Sequence, residues 1–127
     1  MNVDSFFTIG STHKVCQDYV ISLNETHGIN EGPFIALSDG CSSSPDTDFG
    51  SRILVKAIQS LYCTQGIYPG DKSITELIWQ KAVNSMNSIN GLTLYCLDAT
   101  LLFAYKEDKN INVVMIGDGT VSAKTKD

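Results

Sequence analysis

The sequence predicts an α+β fold, an antiparallel β-sheet layered with an antiparallel helix pair. Three observations predict it. Runs of β-branched and aromatic residues collect in the first and last thirds of the chain. Two segments with apolar residues at helical spacing stand side by side between them. Strands and helices are therefore grouped, whereas a parallel sheet would need them to alternate. With 127 residues, 43% of them hydrophobic and 18% charged, the chain is expected to form a single domain over 1–127 with a real core.

Taken in order, residues 5–9 (SFFTI) and 19–23 (YVISL) read as strands, and the polar, glycine-containing stretch 24–32 reads as a loop. Residues 34–38 form a third, more apolar strand. Phe49, Ile53, Leu54, Ala57, Ile58 and Leu61 then share one helical face, and Gly66 with Pro69 ends that helix. Ser73 and Glu76 have the spacing of a capping box. Ile74, Leu77, Ile78, Ala82, Met86 and Ile89 form the apolar stripe of the second helix, which Asn90-Gly91 ends. The short connection favours an antiparallel pair. Residues 99–105 and 111–116 read as strands around a charged turn, KEDKN. Gly117-Asp118-Gly119 then reads as a hairpin turn into a last strand at 120–123. No helix follows, so one face or edge of the sheet is expected to be left for a partner.

Composition excludes several functions. A net charge of −5 gives no basic face for nucleic acid, though it suits a protein that holds cations. No apolar run approaches the ~18 residues of a membrane span, and the N-terminus lacks the pattern of a secretory signal. Cys16, Cys41, Cys63 and Cys96 form no CxxC pair, which argues against zinc. Reduced thiols in a cytoplasmic protein are the expectation.

Three short segments can carry chemistry. Cys16-Gln17-Asp18 opens the second strand, Ser38-Asp39-Gly40 closes the third, and Gly117-Asp118-Gly119 follows a late strand. A carboxylate at a strand end is held in place by the strand, and a glycine after it lets a carbonyl approach an ion. Aspartates brought together repel unless a cation or proton neutralises them, and oxygen-only ligands suit Mg²⁺ or Mn²⁺. Singly, each segment has a plainer reading: Asp-Gly is common in turns, and Asp18 can cap backbone donors.

The order of the segments is more specific. S-T-H-K-V-C-Q-D-Y, then A-L-S-D-G-C-S-S-S with F-G-S-R, then A-T-L-L and V-V-M-I-G-D-G, resembles the PPM-type (type 2C) metal-dependent serine/threonine protein phosphatases. It is most like their bacterial branch, with His and Cys-Gln-Asp where other members have Arg and Glu-Asp. The resemblance covers nearly the whole chain and implies the N-terminal half of an αββα phosphatase sandwich.

It implies hydrolysis of phosphoserine and phosphothreonine in protein substrates by a hydroxide bridging two Mn²⁺ or Mg²⁺ ions. Asp39 matches the bridging aspartate, Gly40 the residue whose carbonyl binds one ion, and Asp18 an aspartate of the first or second metal shell. His13 lies where many members place a phosphate-binding arginine, so it is the candidate phosphate contact. Asp118 matches a ligand of an accessory metal. Gln17 replaces a glutamate, and Cys41 stands where some members have a histidine proposed as general acid. No protein nucleophile is needed, so a cysteine hydrolase built on Cys16 and His13 is disfavoured. Asp46, Asp48, Asp98 and Asp108 fit no further ligand motif. The expectation is an incomplete metal site in a truncated or short relative. The alternative is a non-catalytic, phosphatase-like regulatory or interaction module. In either case an exposed sheet face or edge is expected to support a dimer.

Overall fold

The structure is a computed structural model describing residues 1–25, 32–68, 70–124 and 126. The elements are β1 (Asp18–Leu23), β2 (Phe34–Asp39), α1 (Thr47–Thr64), α2 (Ile74–Asn87), a 3₁₀ turn (Leu94–Leu97), β3 (Leu101–Glu107) and β4 (Asn110–Ile116). All three strand pairings are antiparallel, in the order β1-β2-β3-β4. The predicted α+β class is what the chain adopts. Most of the loop expected at 24–32, and Pro69, lie outside the described residues.

Alternation along β2 sends Phe34, Ala36 and Ser38 to one face and Ile35, Leu37 and Asp39 to the other. The first face packs on α1, where Val55, Ile58 and Tyr62 are fully buried, and it stacks Phe34 on Tyr62 with centroids 4.7 Å apart. α2 packs on α1 and on the 3₁₀ turn, burying Ile74, Ile78, Ala82 and Met86. The start of α1 and the end of α2 line one groove, so the helices run antiparallel. Among the described residues no helix covers the outer face of the sheet, and Leu37, Val113 and Met115 are exposed there.

Four expectations need correction. Residues 5–9 form no strand, and Phe6 is 85% exposed. Phe7 packs edge-on against the Tyr19 ring at 5.8 Å, whereas Phe6 lies over the outer face beside Val20 and Leu37. The segment is tied to β1 by side chains instead: Ser5 Oγ lies 3.0 Å from Ser22 Oγ. Residues 120–123 form no strand either, because a run whose one large apolar side chain, Val121, stays exposed has no face to bury. The Gly117-Asp118-Gly119 segment therefore makes no hairpin, and residues 120–122 turn back along the outer face beside Val113 and Leu102. The hairpin forms in the charged turn, where Glu107 pairs with Asn110 around Asp108 and Lys109.

The capping box does not close. Ser73 makes no cap bond, and its Oγ donates to Asp71 Oδ1 at 2.7 Å. Asp46 likewise precedes α1 without a side-chain cap bond, in a left-handed conformation. Finally, Phe49 and Ile89 do not enter the core. They remain 47% and 42% exposed, because Phe49 sits at the start of α1 and Ile89 beyond the end of α2.

Candidate metal centre

Asp18 and Asp39 are the first residue of β1 and the last of β2, and they are direct partners in the antiparallel register. Partners of this kind project from the same face with neighbouring Cβ atoms. Both side chains therefore stand on the outer face of the sheet, in line with Val20 and Leu37. They meet: burial first, then a hydrogen bond with Asp39 and its negative charge, push the Asp18 carboxyl above its ordinary range. The charge of His13 works in the opposite direction.

The backbone around this pair is fixed from two sides, by Thr100 and by Gln17. The Asp39 N–H donates to Thr100 Oγ1 at 3.1 Å, and the Asp39 carbonyl accepts from the Thr100 N–H at 2.9 Å. One residue back, Ser38 Oγ donates to the Thr100 carbonyl at 2.6 Å. Gly40 donates its N–H to the Gln17 carbonyl at 3.1 Å. A Cβ at Gly40 would lie 2.7 Å from that carbonyl oxygen and 2.8 Å from Thr47 Cβ, so only glycine fits here.

Gln17 and Thr47 tie the strand ends to α1. Gln17 Nε2 donates to Thr47 Oγ1 at 3.0 Å, and Thr47 Oγ1 donates to the Cys41 carbonyl at 3.0 Å. Ser51 Oγ donates to the Gln17 carbonyl at 2.6 Å. Gln17 thus holds the frame of the site by hydrogen bonds.

Two clefts meet at Asp39. The first, about 500 Å³, is lined by His13, Gln17, Asp18, Asp39, Gly40 and Cys41, among others. His13 is exposed at its wall. The second, about 350 Å³, is lined by Asp39, Cys41, Asp98, Thr100, Gly117 and Asp118. Four of the five residues singled out from the sequence therefore share one cleft, and Asp118 joins Asp39 in the other. Asp98 fits no ligand motif in the sequence, yet it lines the second cleft and accepts a hydrogen bond from Ser44 Oγ at 2.5 Å. Its position depends on the 3₁₀ turn before it, which the sequence pattern did not reveal. Among the described residues, no three His, Cys, Asp or Glu side chains stand close enough to hold one ion together.

The thiols differ. Cys16 Sγ donates to the Asp18 carbonyl at 3.6 Å. Cys41 is half-buried, and hydrogen bonds with Ser43 and then Ser44 lower its thiol below the ordinary range. Those hydrogen bonds make the Cys41 thiol more acidic than an ordinary cysteine.

A divalent cation suits the Asp18–Asp39 pair. Mg²⁺ in particular takes one or two carboxylates and keeps several waters. A hydrogen bond between two carboxyls requires a proton on one of them, and a bound cation would take that proton's place. This gives a stability prediction. The folded Asp18 carboxyl is raised above its unfolded value of about 3.9. Its stabilising contribution is then complete below that value and lost as pH rises through the folded value. Asp18→Asn is expected to raise the melting temperature of the metal-free protein by a few degrees at neutral pH and to flatten this pH dependence. Thermal melts between acid and neutral pH check it. A variant less stable than wild type at pH 7 would contradict the repulsion.

Comparison with known proteins adds one finding. The family model described as protein phosphatase 2C matches residues 10–127, a span that contains every residue of both clefts except Thr8. No curated protein and no solved structure matches the chain.

Proposed function

This chain belongs to the protein phosphatase 2C family, and on that premise we propose that it is a metal-dependent phosphatase acting on phosphoserine and phosphothreonine in proteins. Asp18, Asp39 and the Gly40 carbonyl would hold Mn²⁺ or Mg²⁺, and Asp118 would serve an accessory ion from the second cleft. When bound, the ions supply Lewis acidity toward the phosphate and the attacking water. The observation that carries the reading is the facing of Asp18 and Asp39 at a cleft mouth, with Asp18 pushed toward its protonated form.

The chain's own groups have separate tasks. Thr100 and Gln17 keep the two strand ends in register. His13, in its protonated form, contacts the phosphate from the cleft wall. Cys41 offers a proton toward the leaving oxygen from a thiol that Ser43 and Ser44 acidify. The bacterial branch is part of the same proposal and rests on His13 and Cys16-Gln17-Asp18. A single domain over 1–127 is supported by one core shared by sheet and helices. A cytoplasmic setting is supported by four free cysteines.

The test is hydrolysis of para-nitrophenyl phosphate and a phosphoserine peptide with and without Mn²⁺. Turnover that depends on Mn²⁺ is expected. The second reading, a non-catalytic module, is favoured by the lack of three grouped ligands among the described residues. Absence of turnover at saturating Mn²⁺ would select it.

Self-association belongs to this proposal as well. Leu37, Val113 and Met115 leave an apolar outer face that a second copy would cover. Sedimentation velocity is expected to show concentration-dependent association that Val113→Lys abolishes. A wild-type protein that stays monomeric over a wide concentration range would overturn it.

A further inference from the structure

A groove of about 310 Å³ runs between α1 and α2, away from both clefts and sharing no lining residue with them. Its apolar part is Phe49, Ile53 and Ile89, and its charged part is Arg52, Lys56 and Lys81. Phe49 and Ile89 are the two stripe residues that failed to enter the core. No carboxylate lines the groove among the described residues. The chain has 9 Lys and Arg against 14 Asp and Glu, so three of its few cations converge on one apolar surface. The Arg52 guanidinium lies 4.9 Å from the centre of the Tyr19 ring, which is not part of the groove lining, so Lys56 and Lys81 supply most of the charge at the groove. Lys56 Nζ donates to the neutral Gln59 Oε1 at 3.1 Å.

We propose that this groove docks an acidic, apolar peptide segment of a partner protein. Charge complementarity selects the occupant. Three cations at one rim attract carboxylates, and the apolar floor rewards a leucine or phenylalanine beside them. The cavity holds one or two large side chains, which suits a short peptide stretch. An extended polyanion or an anionic membrane would meet the net charge of −5 over the rest of the surface. The proposal stands apart from the phosphatase reading, because docking requires no metal and no turnover.

Fluorescence anisotropy with a fluorescein-labelled peptide of leucine, phenylalanine and glutamate tests it on the whole chain. Saturable binding is expected at low salt, weakening as ionic strength rises. Lys56→Glu combined with Lys81→Glu is expected to weaken it by about tenfold or more. Phe49→Ser should weaken it while leaving the charge unchanged, and a peptide with lysine in place of glutamate should not bind. Lys56 and Phe49 are exposed and Lys81 is half-buried, and circular dichroism on each variant checks that it folds. Three results would overturn the proposal: no binding by wild type, equal affinity in the charge-reversed variant, or binding to phosphatidylglycerol vesicles without binding to the peptide.

Discussion

Gly50→Ala is expected to destabilise the domain by about 3–5 kcal/mol, a large share of the ~5–15 kcal/mol that holds a typical domain folded. Gly50 lies in α1 where the helix meets the 3₁₀ turn. A Cβ there would sit 1.5 Å from the Cys96 carbonyl oxygen and 2.5 Å from the Cys96 carbonyl carbon. The contact is with backbone, so no rotamer change relieves it. Relief requires lifting residues Leu94–Leu97 off α1, which exposes Cys96 and Leu97 from the core. The sign is diagnostic, because glycine to alanine in an unobstructed helix stabilises by about 0.5–1 kcal/mol. The disturbance would also reach the site, since the Asp98 carbonyl just after the turn accepts from the Cys41 N–H at 2.9 Å. Urea denaturation measures the effect. A variant as stable as wild type would mean that α1 and the 3₁₀ turn are not packed this way.

Asp39→Asn is expected to lower Mn²⁺-dependent phosphatase activity by about 100-fold or more, the scale on which a charged group at a reacting centre acts. The amide keeps the size of the carboxylate, and the bonds from Thr100 to the Asp39 backbone remain. The repulsion with Asp18 is removed, so the variant should be at least as stable as wild type. Lost activity with retained stability separates a metal ligand from a structural residue. Asp118→Asn should cost far less, because Asp118 reaches only the second cleft. Equal losses at the two positions would contradict the proposed division between them.

Much of the sheet could be read from the chain because its strands obey a simple period. β2 alternates strictly, and that alone sends Asp39 to the face opposite Phe34. Asp18 and Asp39 were placed at strand ends from the sequence, but their direct pairing depends on the register between β1 and β2. Features that depend on tertiary contact were hidden. Nothing local marks Gly50 as touching Cys96, and Asp98 enters the second cleft only because a 3₁₀ turn carries it there. Helical spacing put Phe49 and Ile89 on the apolar stripes, but spacing does not say where a helix runs past its neighbour. The strongest hairpin signal, Gly117-Asp118-Gly119, failed for want of a strand to pair, while the charged turn at Asp108 succeeded between two that were already well formed.

The central claim is that Asp18 and Asp39 together hold a divalent cation. Titration calorimetry of the metal-free protein with Mn²⁺, in buffers of different ionisation enthalpy, tests it most directly. Wild type should bind Mn²⁺ and, where the raised Asp18 carboxyl still holds its proton, release that proton on binding. Asp18→Asn and Asp39→Asn should each bind far more weakly, without that release. Mn²⁺ affinity unchanged in both variants, or no binding by wild type, would contradict the claim.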